Sequence, residues 1–267
     1  MLAARREVTH VETPGRVWPG PPLARAAGNL AVTGGAGFPR GGVAMVVGAD
    51  GGIGSALTRA IQASGGFDRV LGLSRRSQPS LDLEDERSIE AAARLAASLG
   101  DIRLCIVATG VLHSEAMRPE KALREIDPAA LAKSFAVNAT GPALVMKHVL
   151  PMLPREGRSV FAVLSAKVGS IGDNRLGGWY AYRASKAALN QFVRTAAIEL
   201  ARRKPEALCV AIHPGTVDTG LSSPFARSGL AIAGPDTAAT AILACLEGLS
   251  PGESGGFFDR SGERLPW

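Results

Sequence analysis

Three residues in this 267-residue chain carry side chains that together suit the interconversion of a ketone and an alcohol: Ser165, Tyr182 and Lys186. Tyr182 and Lys186 stand four apart in the run WYAYRASK, at the start of a stretch with helical apolar spacing, so one turn of helix places them on one face. An ammonium held near a phenol favours the phenolate and draws its pKa toward working pH. A serine hydroxyl beside the pair can donate to a carbonyl oxygen on which negative charge develops. Tyrosine followed by lysine at this spacing also occurs on ordinary helix surfaces, so the weight of the pair rests on its place in the chain.

The surrounding elements supply that place. Val43–Val47 is a continuous apolar run of the kind found in a parallel sheet covered on both faces. It leads into Gly48, Gly52 and Gly54, after which Ile53, Leu57, Ala60 and Ile61 repeat at helical spacing. A glycine turn between a buried strand and a helix lets backbone amides and the positive helix end meet a pyrophosphate. The next strand, Arg69–Leu73, ends in Ser74-Arg75-Arg76, where an acidic residue would favour NAD. Arginine matches a 2′-phosphate by charge and by its bidentate fork, so NADP is favoured over NAD. Solvated residues at a strand end are the alternative.

Leu81-Asp82-Leu83 reads as a short third strand or its end. Asp82 either accepts from an adenine amino group or caps a helix from about Glu84 to Leu99, and it counts with Leu83 among the cofactor-binding candidates. A fourth strand, Ile102–Ala108, leads to Thr109-Gly110, where glycine lets the chain pass close to a cofactor. A long helix is expected within Pro128–Leu153. Its internal Asn138 is either a surface or backbone partner or an interruption that holds a water. Ser165 follows the fifth strand, Ser159–Leu164, at the sheet edge where parallel α/β proteins bind ligands. A helix over Tyr182–Arg202, a strand over Leu208–Ile212 and the rigid turn Pro214-Gly215 come next. Gly220–Gly234 has the composition of a lid, and a helix (Pro235–Leu249) and a strand (Gly256–Asp259) close the chain.

Composition removes other classes. Residues 1–40 hold five arginines against two glutamates, half of the formal charge of +6, and no basic stripe with interleaved aromatics follows. Nucleic acid is therefore not expected as a partner. No apolar run reaches the roughly 18 residues of a membrane helix, so no membrane partner is expected either. Cys105, Cys209 and Cys245 are far apart, odd in number and without metal-ligand spacing, which suits buried thiols in a reducing, cytoplasmic compartment and no metal. Residues 1–41 are rich in proline and glycine and read as a flexible extension, with a transit segment or a start set too far upstream as alternatives. Residues 42–267 form the single folded domain. Alternation of strand and helix calls for a three-layer, doubly wound parallel sheet of about seven strands.

With the glycine turn, Asn138, Ser165, Tyr182-x-x-x-Lys186 and Pro214-Gly215 in this order, the chain resembles the short-chain dehydrogenase/reductase family from about Val43 to Trp267. The insert GSIGDNRLGGWYAY and the ending Leu265-Pro266-Trp267 look most like the branch of C-factor-like proteins and Sniffer-type carbonyl reductases. The resemblance implies a Rossmann fold and an NADP(H)-dependent oxidoreductase acting on a small carbonyl or alcohol. In it Tyr182 would be the general acid/base, Lys186 would bind the nicotinamide ribose, Ser165 would orient the substrate oxygen and Asn138 would hold a water. Gly48, Gly52, Ile53 and Gly54 would line the pyrophosphate and adenosine ribose, and Pro214, Val217 and Thr219 the nicotinamide end. A homodimer or homotetramer through the helices around Asn138 and Tyr182 is implied too, and a dinucleotide-binding signalling protein with little turnover is the alternative function. The chain departs from the family at Val47, where threonine is usual, and at Val107-Ala108-Thr109-Gly110, where Asn-x-Ala-Gly is usual.

Overall fold

The computed structural model describes residues 38–267 apart from residues 39, 116 and 222–231. The expected extension and most of the expected lid lie outside the described residues. Phe38 is already buried, 5.7 Å from the Phe67 ring and under the Arg158 guanidinium, and Gly41 and Gly42 bond to Gly66 and Asp68.

Six strands form one parallel sheet: β1 (Val43–Val47), β2 (Arg69–Leu73), β3 (Ile102–Val107), β4 (Ser159–Leu164), β5 (Ala207–His213) and β6 (Phe257–Asp259), in the spatial order β2-β1-β3-β4-β5-β6. The helices are α1 (Gly52–Ser64), α2 (Glu86–Leu99), α3 (Pro128–Phe135), α4 (Gly141–Val149), α5 (Tyr180–Ala201) and α6 (Pro235–Gly248). Side-chain alternation divides each strand between two layers. Val43, Met45, Val47, Cys105, Val107 and Phe161 pack with α2, α4 and α5. Ala44, Val46, Leu104, Ile106 and Val160 face the layer of α1 and α6. Burial on both faces explains why β1 reads as an unbroken apolar run and needs no polar residue at Val47.

The sheet has six strands and not seven, because Leu81–Leu83 does not join it. Leu81 N–H turns back to the Ser74 carbonyl, Asp82 N–H goes to Ser88 Oγ and Glu84 N–H to Asp82 Oδ1, so a turn replaces the ladder. The cap of α2 is Asp85, which accepts from Arg87 N–H, and the helix starts at Glu86. The long helix expected over Pro128–Leu153 is broken into α3 and α4 by a π-helical turn at Ala136–Thr140, centred on Asn138. Gly141 follows because a Cβ there would lie 2.6 Å from Leu83 Cβ.

Chain direction from β1 runs out to β2 and then back past β1 to β3. The carboxyl ends of β1 and β3 therefore flank the topological switch point, where a crevice opens in such sheets.

Candidate active site

The glycine turn after β1 is shaped by contacts that exclude side chains. A Cβ on Gly54 would stand 2.1 Å from the Gly48 carbonyl oxygen. On Gly48, whose φ is +90°, it would lie 2.8 Å from Thr109 Cγ2, and on Gly52 the same distance from Thr219 Cγ2. The turn is thus closed on itself and pressed against the ends of two other segments, with Ile53 half-buried between them. Thr109 Oγ1 is buried there without a partner. A cradle of bare backbone at a helix start, with an unpaired hydroxyl beside it, fits a dinucleotide pyrophosphate. Pro214, Val217 and Thr219 complete that edge: Arg260 donates to the Pro214 carbonyl, Val217 is buried and Thr219 faces Gly52.

At the adenosine end, Ser74 is buried and its Oγ accepts from the Arg76 and Ser77 amides, each at 3.1 Å. Arg75 is exposed. Asp82 serves its own turn and Leu83 packs on Gly141, so the structure uses both locally.

Lys186, 2 % exposed, reaches across from α5 to donate from Nζ to the Leu164 carbonyl at 2.8 Å, at the very end of β4. The next residue is Ser165. Gly169 permits this approach, since a Cβ there would be 2.7 Å from Lys186 Cβ. The Nζ lies 5.9 Å from the centre of the Tyr182 ring. Burial pushes the lysine down to about 7 and the Tyr182 phenol up to about 12. The phenol's shift is opposite to the lowering expected from a lysine neighbour, and its cause is burial.

Asn138 is fully buried and pins the loop after β3: Oδ1 accepts from Val111 N–H and Nδ2 donates to the Val111 carbonyl, both at 2.8 Å. Its Nδ2 also reaches Ser134 Oγ and Ser185 Oγ. Gly110 lies in the same knot, where a Cβ would be 3.5 Å from Asn138 Oδ1 and 3.7 Å from Lys186 Nζ. Asn138, Gly110 and Lys186 are therefore one cluster, joined through the loop that follows β3.

Two neighbours, Asn190 and Glu120, were not singled out by sequence reasoning, and a third, Trp179, was expected there only as part of the insert that shapes the pocket. Asn190 Oδ1 accepts from Ser165 Oγ at 2.6 Å, and its position eight residues after Tyr182 on one helix face was a usable signal. Trp179 is the one non-glycine residue with positive φ (53°) among the described residues, and its ring stands edge-on to Tyr182 at 6.3 Å. Buried Glu120 braces it from another loop, its carbonyl accepting from Trp179 N–H and its carboxylate from Ala181 N–H. The local sequence Gly177-Gly178-Trp179 hinted at that strained entry to α5.

A family model described as short chain dehydrogenase matches residues 42–228. The chain belongs to the short-chain dehydrogenase family. It is thus an NAD(P)-dependent oxidoreductase built on a Rossmann-type sheet. It is 39 % identical over 147 residues to the C-signal protein of Myxococcus xanthus, a match covering 55 % of this chain and 84 % of that one. The fold is similar to that of the NADPH-bound carbonyl reductase from chicken fatty liver, with a TM-score of 0.74, 24 % identity and coverage of 85 % of this chain and 100 % of that one. It is likewise similar to the carbonyl reductase Sniffer of D. melanogaster, with a TM-score of 0.72, 20 % identity and the same coverage. The sequence likeness is thus to a C-signal protein, and the likeness of this short-chain dehydrogenase to the Sniffer carbonyl reductase is one of fold.

Proposed function

We propose that this short-chain dehydrogenase reduces a small carbonyl compound, or oxidises the corresponding secondary alcohol, with NADP(H), and that Tyr182 exchanges the proton. The observation that carries this reading is the buried Lys186 bridging Tyr182 and the end of β4, where Ser165 begins. The bound dinucleotide would supply the hydride. Tyr182 holds its proton at neutral pH, since burial raises the phenol to about 12, and so stands as a donor to a substrate oxygen. Ser165 orients that oxygen once its hydroxyl proton turns from Asn190 to the substrate, Lys186 holds the ribose side and Asn138 fixes the loop that closes over it. Arg75 and Arg76 favour a 2′-phosphate. The Trp179 ring beside Tyr182 gives the substrate pocket an apolar wall suited to a small hydrophobic or aromatic group.

The catalytic domain takes in Phe38 and Gly41 as well as 42–267, which shortens the extension before it, and the free buried thiols of Cys105, Cys209 and Cys245 suit the cytoplasm. Pairing between two copies would use the outer faces of α4 and α5, where a cleft of about 750 Å³ is bordered by Met146, Leu150 and the half-exposed Phe192. Among the described residues, no helix is long and apolar enough to cross a membrane.

The likeness to C-signal supports a second reading, a dinucleotide-binding signalling protein with little turnover. Following NADPH absorbance over a panel of aldehydes, ketones and quinones separates the two. Turnover in the wild type that Tyr182→Phe abolishes, with dinucleotide binding retained, supports the enzyme. Binding without turnover across the panel supports the second reading.

A further inference from the structure

Asp50 stands inside the glycine turn, between Gly48 and Gly52, and points to the end of β2. Its carboxylate takes Arg76 Nε at 2.9 Å. A side-chain hydrogen bond from Ser74 and the one from Arg76, with Arg75 nearby, hold its carboxyl below the usual carboxylate range. The Ser74 oxygen already accepts from the Arg76 and Ser77 amides. Those two amides take both lone pairs of the Ser74 hydroxyl.

The residues at the end of β2 that would recognise a 2′-phosphate are Ser74, Arg75 and Arg76, and Arg76 is already paired with an anion from the chain itself. We infer that Asp50 sets the choice between the two nicotinamide dinucleotides, by placing its carboxylate on Arg76, a donor that a 2′-phosphate would need. The inference rests on the dinucleotide reading above and deepens it. A phosphate arriving there must detach Arg76 from Asp50 and then lie beside a like charge, both of which weaken NADP(H). A ribose 2′-hydroxyl meets no such conflict, since it is itself a donor that a carboxylate accepts. Asp50 therefore narrows the preference for NADP(H) that Arg75 and Arg76 would otherwise confer. No local feature of the glycine turn requires this carboxylate, because the turn is held by Gly48 and Gly54 and by the Gly51 N–H bond to the Gly48 carbonyl.

The test is an equilibrium titration of NADPH and NADH, read by nucleotide fluorescence, against the wild type, Asp50→Asn, Asp50→Glu and the pair Asp50→Asn/Arg76→Ala. Removing one like charge beside the phosphate should tighten NADPH by about tenfold at low salt and leave NADH nearly unchanged. Asp50→Glu should keep the wild-type ratio, the added Arg76→Ala should cancel the gain, and the gain should shrink as salt is raised. A ratio of NADPH to NADH affinity in Asp50→Asn within about twofold of the wild type, both nucleotides still binding, overturns the role of Asp50 and leaves the dinucleotide reading standing. Failure of the wild type and of Asp50→Glu to bind either nucleotide overturns that reading and this inference together.

Discussion

The Ser165 hydroxyl donates to Asn190 Oδ1 across 2.6 Å, with both residues 3 % exposed. Tyr182, Lys186 and Asn190 fall at successive fourth positions of α5, so one helix face carries the phenol, the ammonium and the group that orients the serine. Asn190 Nδ2 has no partner of its own, and the amide is held in place for its oxygen.

Asn190→Ala should lower kcat on the order of tenfold, with the dinucleotide KM unchanged, because the serine loses its orientation and not its hydroxyl. Ser165→Ala should cost more, and adding Asn190→Ala to it should cost little further, since the two act as one unit. Steady-state kinetics of the single and double variants check this. Additive losses would separate Asn190 from Ser165.

The stability of the ligand-free protein should rise with pH from about 7 to 10. Lys186 titrates at about 7 when folded against 10.5 as its ordinary value, so in that window the unfolded chain binds more protons and each pH step favours the folded state. Tyr182, raised from 10 to about 12, acts in the opposite sense above pH 10, where the folded state keeps the proton and stability falls. Denaturant midpoints measured every half pH unit should show the rise, and Lys186→Met should flatten it between pH 7 and 10.

Gly54→Ala should abolish dinucleotide binding or folding, since its Cβ would fall 2.1 Å from the Gly48 oxygen. Gly248→Ala, at the exposed end of α6 with nothing within 4 Å of the new Cβ, should instead stabilise by about 0.5 kcal/mol. Thermal melts of both variants, with fluorescence titration of any folded Gly54→Ala protein, check the contrast.

Lys204 is buried and its ammonium donates to the Leu150 and Pro151 carbonyls at 2.9 and 2.7 Å and also to that of Leu153, closing the frayed end that follows α4. Burial and the neighbouring Arg155 hold its pKa below the ordinary lysine value. Lys204→Met should destabilise by about 2 kcal/mol, through carbonyls left without a donor, and leave kcat unchanged. Urea midpoints and turnover of the same variant test both halves.

Much of this was legible along the chain. Val43–Val47 and Ser159–Leu164 are strands because uninterrupted apolar runs bounded by glycine and polar residues can be buried only between two helical layers. Tyr182 and Lys186 declared themselves by the helical repeat, and Ser165 by following a buried strand. Gly48 and Gly54 announced a tight turn, and the structure adds that each is required by a specific close approach.

Other features are decided only where distant segments meet. Leu81–Leu83 has strand-like residues yet lies off the sheet, because the Ser74 carbonyl and Ser88 hydroxyl take its amides. Asn138 breaks its helix to reach Val111, 27 positions away. The bonds of Asp50 to Arg76, Ser165 to Asn190 and Glu120 to Ala181 span 26, 25 and 61 positions, distances over which no local periodicity carries information. The direction of the Tyr182 shift belongs to the same class. Residue types state which charges can interact, whereas desolvation depends on how much of the folded protein surrounds them, and here it raises the phenol.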